Sequence, residues 1–460
     1  MRILLIQPNT STLRGTTCPP LGLMFVAAVV RQAGHEVKII DRNIDYFPLY
    51  KTKRFKPDLV GISSFTGPMI LDAIRVSKRI KEIFGDEFPV VWGGIHPSLL
   101  PEQTLENPYI DFIVRGEGEH TFLELVEAIE QGKELEGIKG IGYKKNGRII
   151  LNEERPFIEN LDELPLLPWD IVRAEKYFAI EVVIVTSRGC PHNCAFCYNQ
   201  KFNKRRWRAW SAERTLTEIA KIEEITSNRR LKFHDDNFTV NKKRFYKIME
   251  GLSSEYTLYL EARAEHIDEE FLSRLDKFRR VWLFIGVESG SKRLLEKMNK
   301  GTTHDHIRNA YRLCRAKKNI FTTTSVILGL PTETPKELQM TLELVEELCS
   351  DWATYCLYTP YPGNRFYEEI IAGGAFRPPK SLMEWANFTP DIGKTDFSKI
   401  THSKVDQAFL KKLNRKSWIE VMTNMAKRGD LHKVYRRLID STPFLTRTLN
   451  LLEEKWHGLL

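Results

Sequence analysis

Three cysteines, Cys190, Cys194 and Cys197, lie in the run Arg188-Gly-Cys-Pro-His-Asn-Cys-Ala-Phe-Cys-Tyr198. The spacing Cys-x3-Cys-x2-Cys offers three thiolates and no fourth. An iron–sulfur cube normally takes four cysteine ligands. Three leave one iron open, and an open iron can hold a small molecule and pass it an electron. The competing chemistry is a structural zinc ion, with His192 or a distant residue as fourth ligand. Zinc sites usually show paired Cys-x2-Cys units or a Cys/His set, and the run contains neither.

A cysteine loop of this kind needs a rigid base, and the surrounding sequence predicts one. The strand Glu181–Thr186 delivers the loop from its carboxyl end. Five further strands follow at Lys232–Asp235, Leu258–Glu261, Val281–Ile285, Thr323–Leu328 and Ala353–Tyr358. Helices are expected between them at Ala212–Thr226, Lys242–Leu252, Asp268–Leu275, His304–Ala316 and Pro335–Leu348. Six βα units are fewer than a closed eight-fold barrel requires. Upstream, short apolar runs at Ile3–Ile6, Val37–Ile40, Leu59–Ile62, Val90–Trp92 and Phe112–Val114 read as buried parallel strands. Helical patterns between them predict a doubly wound sheet, whose ligands sit outside the strand carboxyl ends. The loops there are Cys18-Pro-Pro-Leu-Gly22, Ser63-Ser-Phe-Thr-Gly67, Gly93-Gly-Ile-His-Pro-Ser98 and Arg115-Gly-Glu-Gly-Glu119. Glycine and serine let backbone approach closely and donate hydrogen bonds, which suits a large flat cofactor with polar edges.

Composition bounds the rest. A chain of 460 residues with 42% apolar and 28% charged content has room for two or three ordinary globular domains. No run of eighteen apolar residues exists, so no membrane span is expected. The N-terminus lacks the pattern of a signal peptide. Seven cysteines, three of them clustered, point to a reducing cytoplasm rather than a disulfide framework. The net charge of +9 is diffuse, densest at Lys201 to Arg208. That patch reads as a loop facing solvent, acidic substrate or cofactor; without a nucleic-acid module elsewhere, nucleic acid is not an expected partner.

With its aromatic residue, Phe196, just before the last cysteine, the triad resembles the signature of the radical S-adenosylmethionine (SAM) enzymes. Together with the four upstream loops, it resembles the cobalamin-dependent methyltransferases of that family. The resemblance implies an α/β chain of four parts. These are a doubly wound (flavodoxin/Rossmann-like) cobalamin-binding domain over 1–135 and a connector over 136–175. A partial (β/α)6 radical SAM barrel follows over 176–364, then a helical, substrate-shaping region over 365–460 with amphipathic stretches at Lys404–Ile419 and Leu431–Ile439. It further implies three cofactors: a [4Fe-4S] cluster on Cys190, Cys194 and Cys197, SAM on its open iron, and cobalamin.

Residue by residue, the resemblance assigns cobalamin to Pro20, Leu21 and Gly22; Ser63, Ser64 and Thr66; Gly93, Gly94, Ile95 and His96; and Arg115, Gly116, Glu117 and Gly118. The string Asp-x-His-x-x-Gly, with which many cobalamin proteins ligate cobalt from below, is absent. His96 is its nearest substitute, and is expected at a cofactor edge rather than on cobalt. SAM is assigned to Phe196, to Asp235 and Asp236 after the second barrel strand, and to Arg263 after the third. Glu288 and Ser289 follow the fourth strand and Leu330 the fifth, where Gly329-Leu-Pro-Thr-Glu-Thr334 would hold the adenine. Tyr358 ends the sixth strand and is expected to donate a hydrogen bond or a proton.

The implied reaction is C-methylation of an sp3 carbon, with a 5′-deoxyadenosyl radical activating C–H and methylcobalamin giving the methyl group. A protein or peptide residue, such as one of methyl-coenzyme M reductase, leads the substrates, and a one-electron reductant such as ferredoxin or flavodoxin is implied. The alternatives are a cobalamin-dependent radical SAM cyclase or rearrangement enzyme of natural-product, lipid or tetrapyrrole biosynthesis, and a non-enzymatic cobalamin sensor.

Overall fold

A computed structural model of the chain describes residues 1–10, 18–44 and 49–386. The first sheet has seven strands in the order β2-β1-β3-β4-β5-β6-β7. They are β1 (Arg2–Gln7), β2 (Glu36–Asp41), β3 (Leu59–Ser63), β4 (Val90–Gly93), β5 (Phe112–Val114), β6 (Ile141–Lys145) and β7 (Arg148–Leu151). β1 to β5 pair in parallel. The order 2-1-3-4-5 is that of flavodoxin-like sheets. The expected apolar runs are buried on both faces, Ile3 to Ile6 almost completely. Helices α1 (Leu21–Gln32), α2 (Thr52–Phe55), α3 (Met69–Phe84), α4 (Ile95–Leu99), α5 (Pro101–Leu105) and α6 (Glu119–Gln131) connect the strands. Within the span expected as a connector, the hairpin β6–β7 adds antiparallel to β5. Its turn puts Asn146 and Gly147 at positive φ, as a two-residue hairpin loop requires.

After α7 (Ala174–Tyr177) comes β8 (Val182–Ile184), then a two-stranded antiparallel ribbon of β9 (Ser187–Arg188) and β10 (Arg208–Ala209). The second sheet is all parallel, in the order β15-β14-β13-β12-β11-β8. Its later strands are β11 (Arg230–Phe233), β12 (Thr257–Ala262), β13 (Arg280–Glu288), β14 (Ile320–Leu328) and β15 (Trp352–Leu357). Among the described residues β8 and β15 do not pair, so the barrel stays open on one side. The helices are α8 (Ala212–Glu223), α9 (Lys242–Gly251), α10 (Glu269–Ser273), α11 (Lys292–Lys297), α12 (His304–Arg315) and α13 (Pro335–Leu348). Thr334 and Glu337 form a capping box ahead of α13, with Pro335 in its first turn.

Among the described residues two helices follow the barrel, α14 (Arg365–Ala372) and α15 (Leu382–Trp385). α15 returns to the first domain, where the Trp385 indole donates to Gln103 Oε1 at 2.7 Å. The amphipathic stretches expected at 404–419 and 431–439 lie outside the described residues. No helix among the described residues is long and apolar enough to cross a membrane.

Candidate functional site

The carboxyl ends of both parallel sheets open onto one cavity of about 460 Å³. One wall is glycine-rich, with Gly22 at the start of α1, Gly93 and Gly94 after β4, and Gly116 and Gly118 after β5. The facing wall is polar and comes from the second sheet and its cysteine loop: Arg188, Tyr198, His234, Asp236 and Glu261.

The glycine wall is one stitched surface. Gly94 sits at φ 99° and ψ −167°, a conformation essentially reserved for glycine. A Cβ there would stand 2.6 Å from the Ser64 carbonyl oxygen. Ser64 N donates to Gly93 O at 2.8 Å. Ser98 Oγ donates to Gly94 O at 2.7 Å and accepts from Gly116 N at 2.8 Å. The loops after β3, β4 and β5 are thereby held together. Leu21, Ser63 and Ile95 also line the cavity, and Pro20 immediately precedes α1. The Ser64 hydroxyl is buried without a partner, and it is Ser63 rather than Ser64 that lines the cavity.

Other residues expected on this wall point elsewhere. The His96 ring is fully buried, bonds through Nδ1 to Thr66 Oγ1 at 2.9 Å, and faces Trp385 with ring centroids 6.0 Å apart. Burial lowers its pKa to about 3, so it is neutral. It lies beneath the loop, outside the cavity lining, and engages the Thr66 hydroxyl there. The Arg115 guanidinium reaches back to Asn152 O on the hairpin side. The Glu117 carboxylate borders the cavity but is taken up by Arg188 and Arg208.

The cysteine loop starts at Gly189, whose φ of 79° and contact with the Arg206 carbonyl leave no room for a side chain. Gly189 N donates to Asp236 Oδ2 at 3.0 Å, and Ala195 N to Met298 O at 2.8 Å. Asn237 Nδ2 donates to Cys190 Sγ at 3.7 Å, and Arg263 Nη1 to Cys194 Sγ at 3.9 Å. Burial pushes the Cys197 thiol up to about 12; the Asn199 backbone opposes this, while Asp236, Cys194 and Cys190 add to it. Phe196 is half-buried and packs on the core.

Sulfurs on a single zinc ion can stand no further apart than twice the Zn–S distance, roughly 4.6 Å. Among the described residues the ligand set that converges within 4.8 Å is His192, Glu265 and His266, not the three thiols. Glu265 is already shared between Arg263 and Thr302, and His266 Nδ1 bonds Thr239 at 2.8 Å.

The strand ends divide into two groups. Asp236 accepts from Tyr198 Oη at 2.9 Å and borders the cavity. Arg263 is buried beside Cys194 and donates to Lys300 O. Glu288 has φ 66° at a β-bulge, and its carboxylate folds back to accept from Lys300 Nζ at 2.6 Å. Bulges of this kind re-aim side chains next to active sites. By contrast, Asp235 also borders the cavity but accepts from Thr186 and Ser187, tying β8 to β11. Ser289 Oγ bonds Thr341 of α13 at 3.2 Å, on the helix side of the sheet. Leu330 is fully buried. Tyr358 packs edge-on against Phe366 and lies outside the cavity lining.

Sequence reasoning missed several residues of this site. Lys300 completes the Glu288 pair, and Glu261 and His234, whose Oε1 and Nδ1 atoms lie 3.7 Å apart, border the cavity. Withdrawal from bulk water raises the Glu261 carboxyl to about 7, with Lys232 opposing. The signal for Glu261 was the period-two alternation of β12, which puts it on the same face as Tyr259. Glu333 clamps its own turn, accepting from Gly329 N at 2.6 Å. Burial raises its pKa to about 7.

Residues 12–126 match the B12 binding domain family, and residues 184–345 match the Radical SAM superfamily. The chain is 37% identical over 436 residues to an uncharacterized methyltransferase of Pyrococcus horikoshii, covering 91% of this chain and 92% of that protein. It is 30% identical over 397 residues to the anaerobic magnesium-protoporphyrin IX monomethyl ester cyclase of Rubrivivax gelatinosus, covering 80% and 70%. The fold is similar to that of the radical SAM methyltransferase TsrM from Kitasatospora setae, solved with tryptophan and a SAM analogue. The TM-score is 0.71 at 18% identity, covering 84% of this chain and 82% of that one.

Proposed function

The chain belongs to the cobalamin-dependent radical SAM methyltransferases, and we propose that within this family it methylates an sp3 carbon held in the cavity between its two sheets. The observation that carries this is the shared opening: a glycine wall from the cobalamin-type domain faces the cysteine loop across about 460 Å³. When bound, the cluster and SAM supply a deoxyadenosyl radical and cobalamin supplies a methyl group.

The residues present fit these groups. Three thiols without a fourth cysteine suit a cube with one open iron. Gly22, Gly93, Gly94, Gly116 and Gly118 line the cavity, and a Cβ at Gly22 or Gly116 would project into open space, which suits a flat macrocycle lying against them. Arg263, Lys300, Asp236 and Glu288 are the charged groups we assign to the amino-acid and ribose ends of SAM. Their part is to bind and orient, since proximity and dryness supply much of such catalysis. Because a radical needs no acidic C–H, no general base is assigned, and Tyr358 is left as a packing residue.

For the substrate we favour a protein or peptide residue, with methyl-coenzyme M reductase the example to try first. The support is the unclosed side of the barrel and the net charge of +9. A one-electron donor of the ferredoxin or flavodoxin class completes the system. The 30% identity to a cyclase favours ring formation as the second reading. The fate of the SAM methyl group separates the two, because a cyclase leaves it out of the product.

A further inference from the structure

Four charges join the two walls of the cavity, with Glu119 and Arg208 buried and Glu117 and Arg188 half-buried. Glu117, in the loop after β5, accepts from Arg188 Nη1 at 2.8 Å and from Arg208 Nη1 at 2.8 Å. It also accepts from Ile158 N at 2.7 Å. Arg188 turns its second amino group to Glu119 at the start of α6. Both guanidiniums lie over aromatic rings, Arg188 at 4.7 Å from the centre of Phe25 and Arg208 at 4.4 Å from that of Phe157. The arginines are paired neighbours on the β9–β10 ribbon. The two carboxylates belong to the loop that carries Gly116 and Gly118.

The charges cancel, so the group is stable only while intact. Removing one member leaves a buried charge unpaired, which is strongly unfavourable. Burial alone would raise the Glu117 carboxyl, yet Arg188 and Arg208 hold it below the usual range. From Arg188 the path to the first thiol is short. Gly189 follows, pinned at both its backbone φ and its hydrogen bond to Asp236, and Cys190 comes next. A shift of the cysteine loop therefore reaches the glycine wall through the backbone and an ion network in which Arg188 bridges two carboxylates.

We propose that the Glu117–Arg188–Arg208–Glu119 bridge couples the two cofactor sites, so that cluster assembly on the cysteine loop tightens cobalamin binding on the glycine wall, and the reverse. The proposal rests on the two-cofactor reading above and makes Glu117 a positioning residue rather than a cofactor ligand. Such linkage is reciprocal, with coupling of 5- to 150-fold typical of proteins, about tenfold being the expected scale here.

The test is a titration of hydroxocobalamin into the full chain, prepared anaerobically with and without a reconstituted cluster, and followed by absorbance. In the parent protein the cluster should lower the cobalamin Kd by about tenfold. In Glu117→Gln that ratio should fall to within about twofold of one. Arg188→Lys keeps the charge but loses the fork, and its ratio should lie between; it also carries the comparison if circular dichroism shows Glu117→Gln unfolded. A parent protein that binds cobalamin equally with and without cluster overturns the coupling and leaves the two-cofactor reading standing. Equal tightening in parent and variants overturns the assignment to these residues. A parent protein that binds no cobalamin at all overturns the reading itself.

Discussion

Gly94 is where the smallest chemical change should matter most. Its backbone conformation and the 2.6 Å approach to Ser64 O both exclude a side chain. Gly94→Ala is expected to cost on the order of 1–3 kcal/mol locally and to weaken cobalamin binding. An absorbance titration of the variant checks this, and parent-like affinity would contradict it. The types and spacing of the key residues were legible before any fold was known. The glycine loops and Asp236 border the cavity, and Arg263 lies beside Cys194. The aim of other side chains was not legible, because each is turned by a partner far away in sequence. Ser289 is claimed by Thr341, Arg115 by Asn152, and Glu117 by Arg188 and Arg208. His96 is turned down onto Thr66 and Trp385, nearly three hundred positions later in the chain for the latter.

At the level of elements, short apolar runs placed β1 to β5, which are buried on both faces, whereas β11 to β13 alternate buried and less buried residues along the strand. α2, α4, α7 and α11 escaped, being too short for helical periodicity to show. The junction of β8 and β11 carries a titratable clamp. Asp235 accepts from Thr186 N at 3.0 Å and Thr186 Oγ1 at 3.1 Å, and also from Ser187. Burial raises its pKa from 3.8 to about 6, against the pull of Arg244 and the two hydroxyls. The folded state thus holds this proton more tightly than the unfolded one. Its contribution to stability is fully present below about pH 4, declines as pH rises to about 6, and is level above that. Asp235→Asn should remove that slope. Urea unfolding of parent and variant between these pH values measures it, and parallel curves would contradict the clamp.

Across the whole molecule, the chain crosses from the first sheet to the barrel and then returns. Trp385, 1% exposed, covers His96 and donates to Gln103, closing the first domain with a residue from beyond the barrel. Trp385→Ala should cost about 3–5 kcal/mol, as large-to-small core changes do, read as a lowered denaturant midpoint. A midpoint unchanged from the parent would show that α15 is not part of the core. The same long-range architecture explains why the cavity itself was invisible in sequence: its two walls come from the loops of two different sheets, Gly22 to Gly118 on one side and Arg188 to Glu261 on the other.

The central claim is that one cavity brings a transferable methyl group and a SAM-derived radical to the same carbon. The most direct measurement follows methyl-deuterated SAM through the reduced, reconstituted holoprotein, anaerobically and with candidate peptides, scoring both deoxyadenosine and the label. The account predicts deoxyadenosine together with deuterated methyl in the product, both lost in Cys194→Ala. Deoxyadenosine formed with an unlabelled product, or label transferred undiminished by Cys194→Ala, would contradict it.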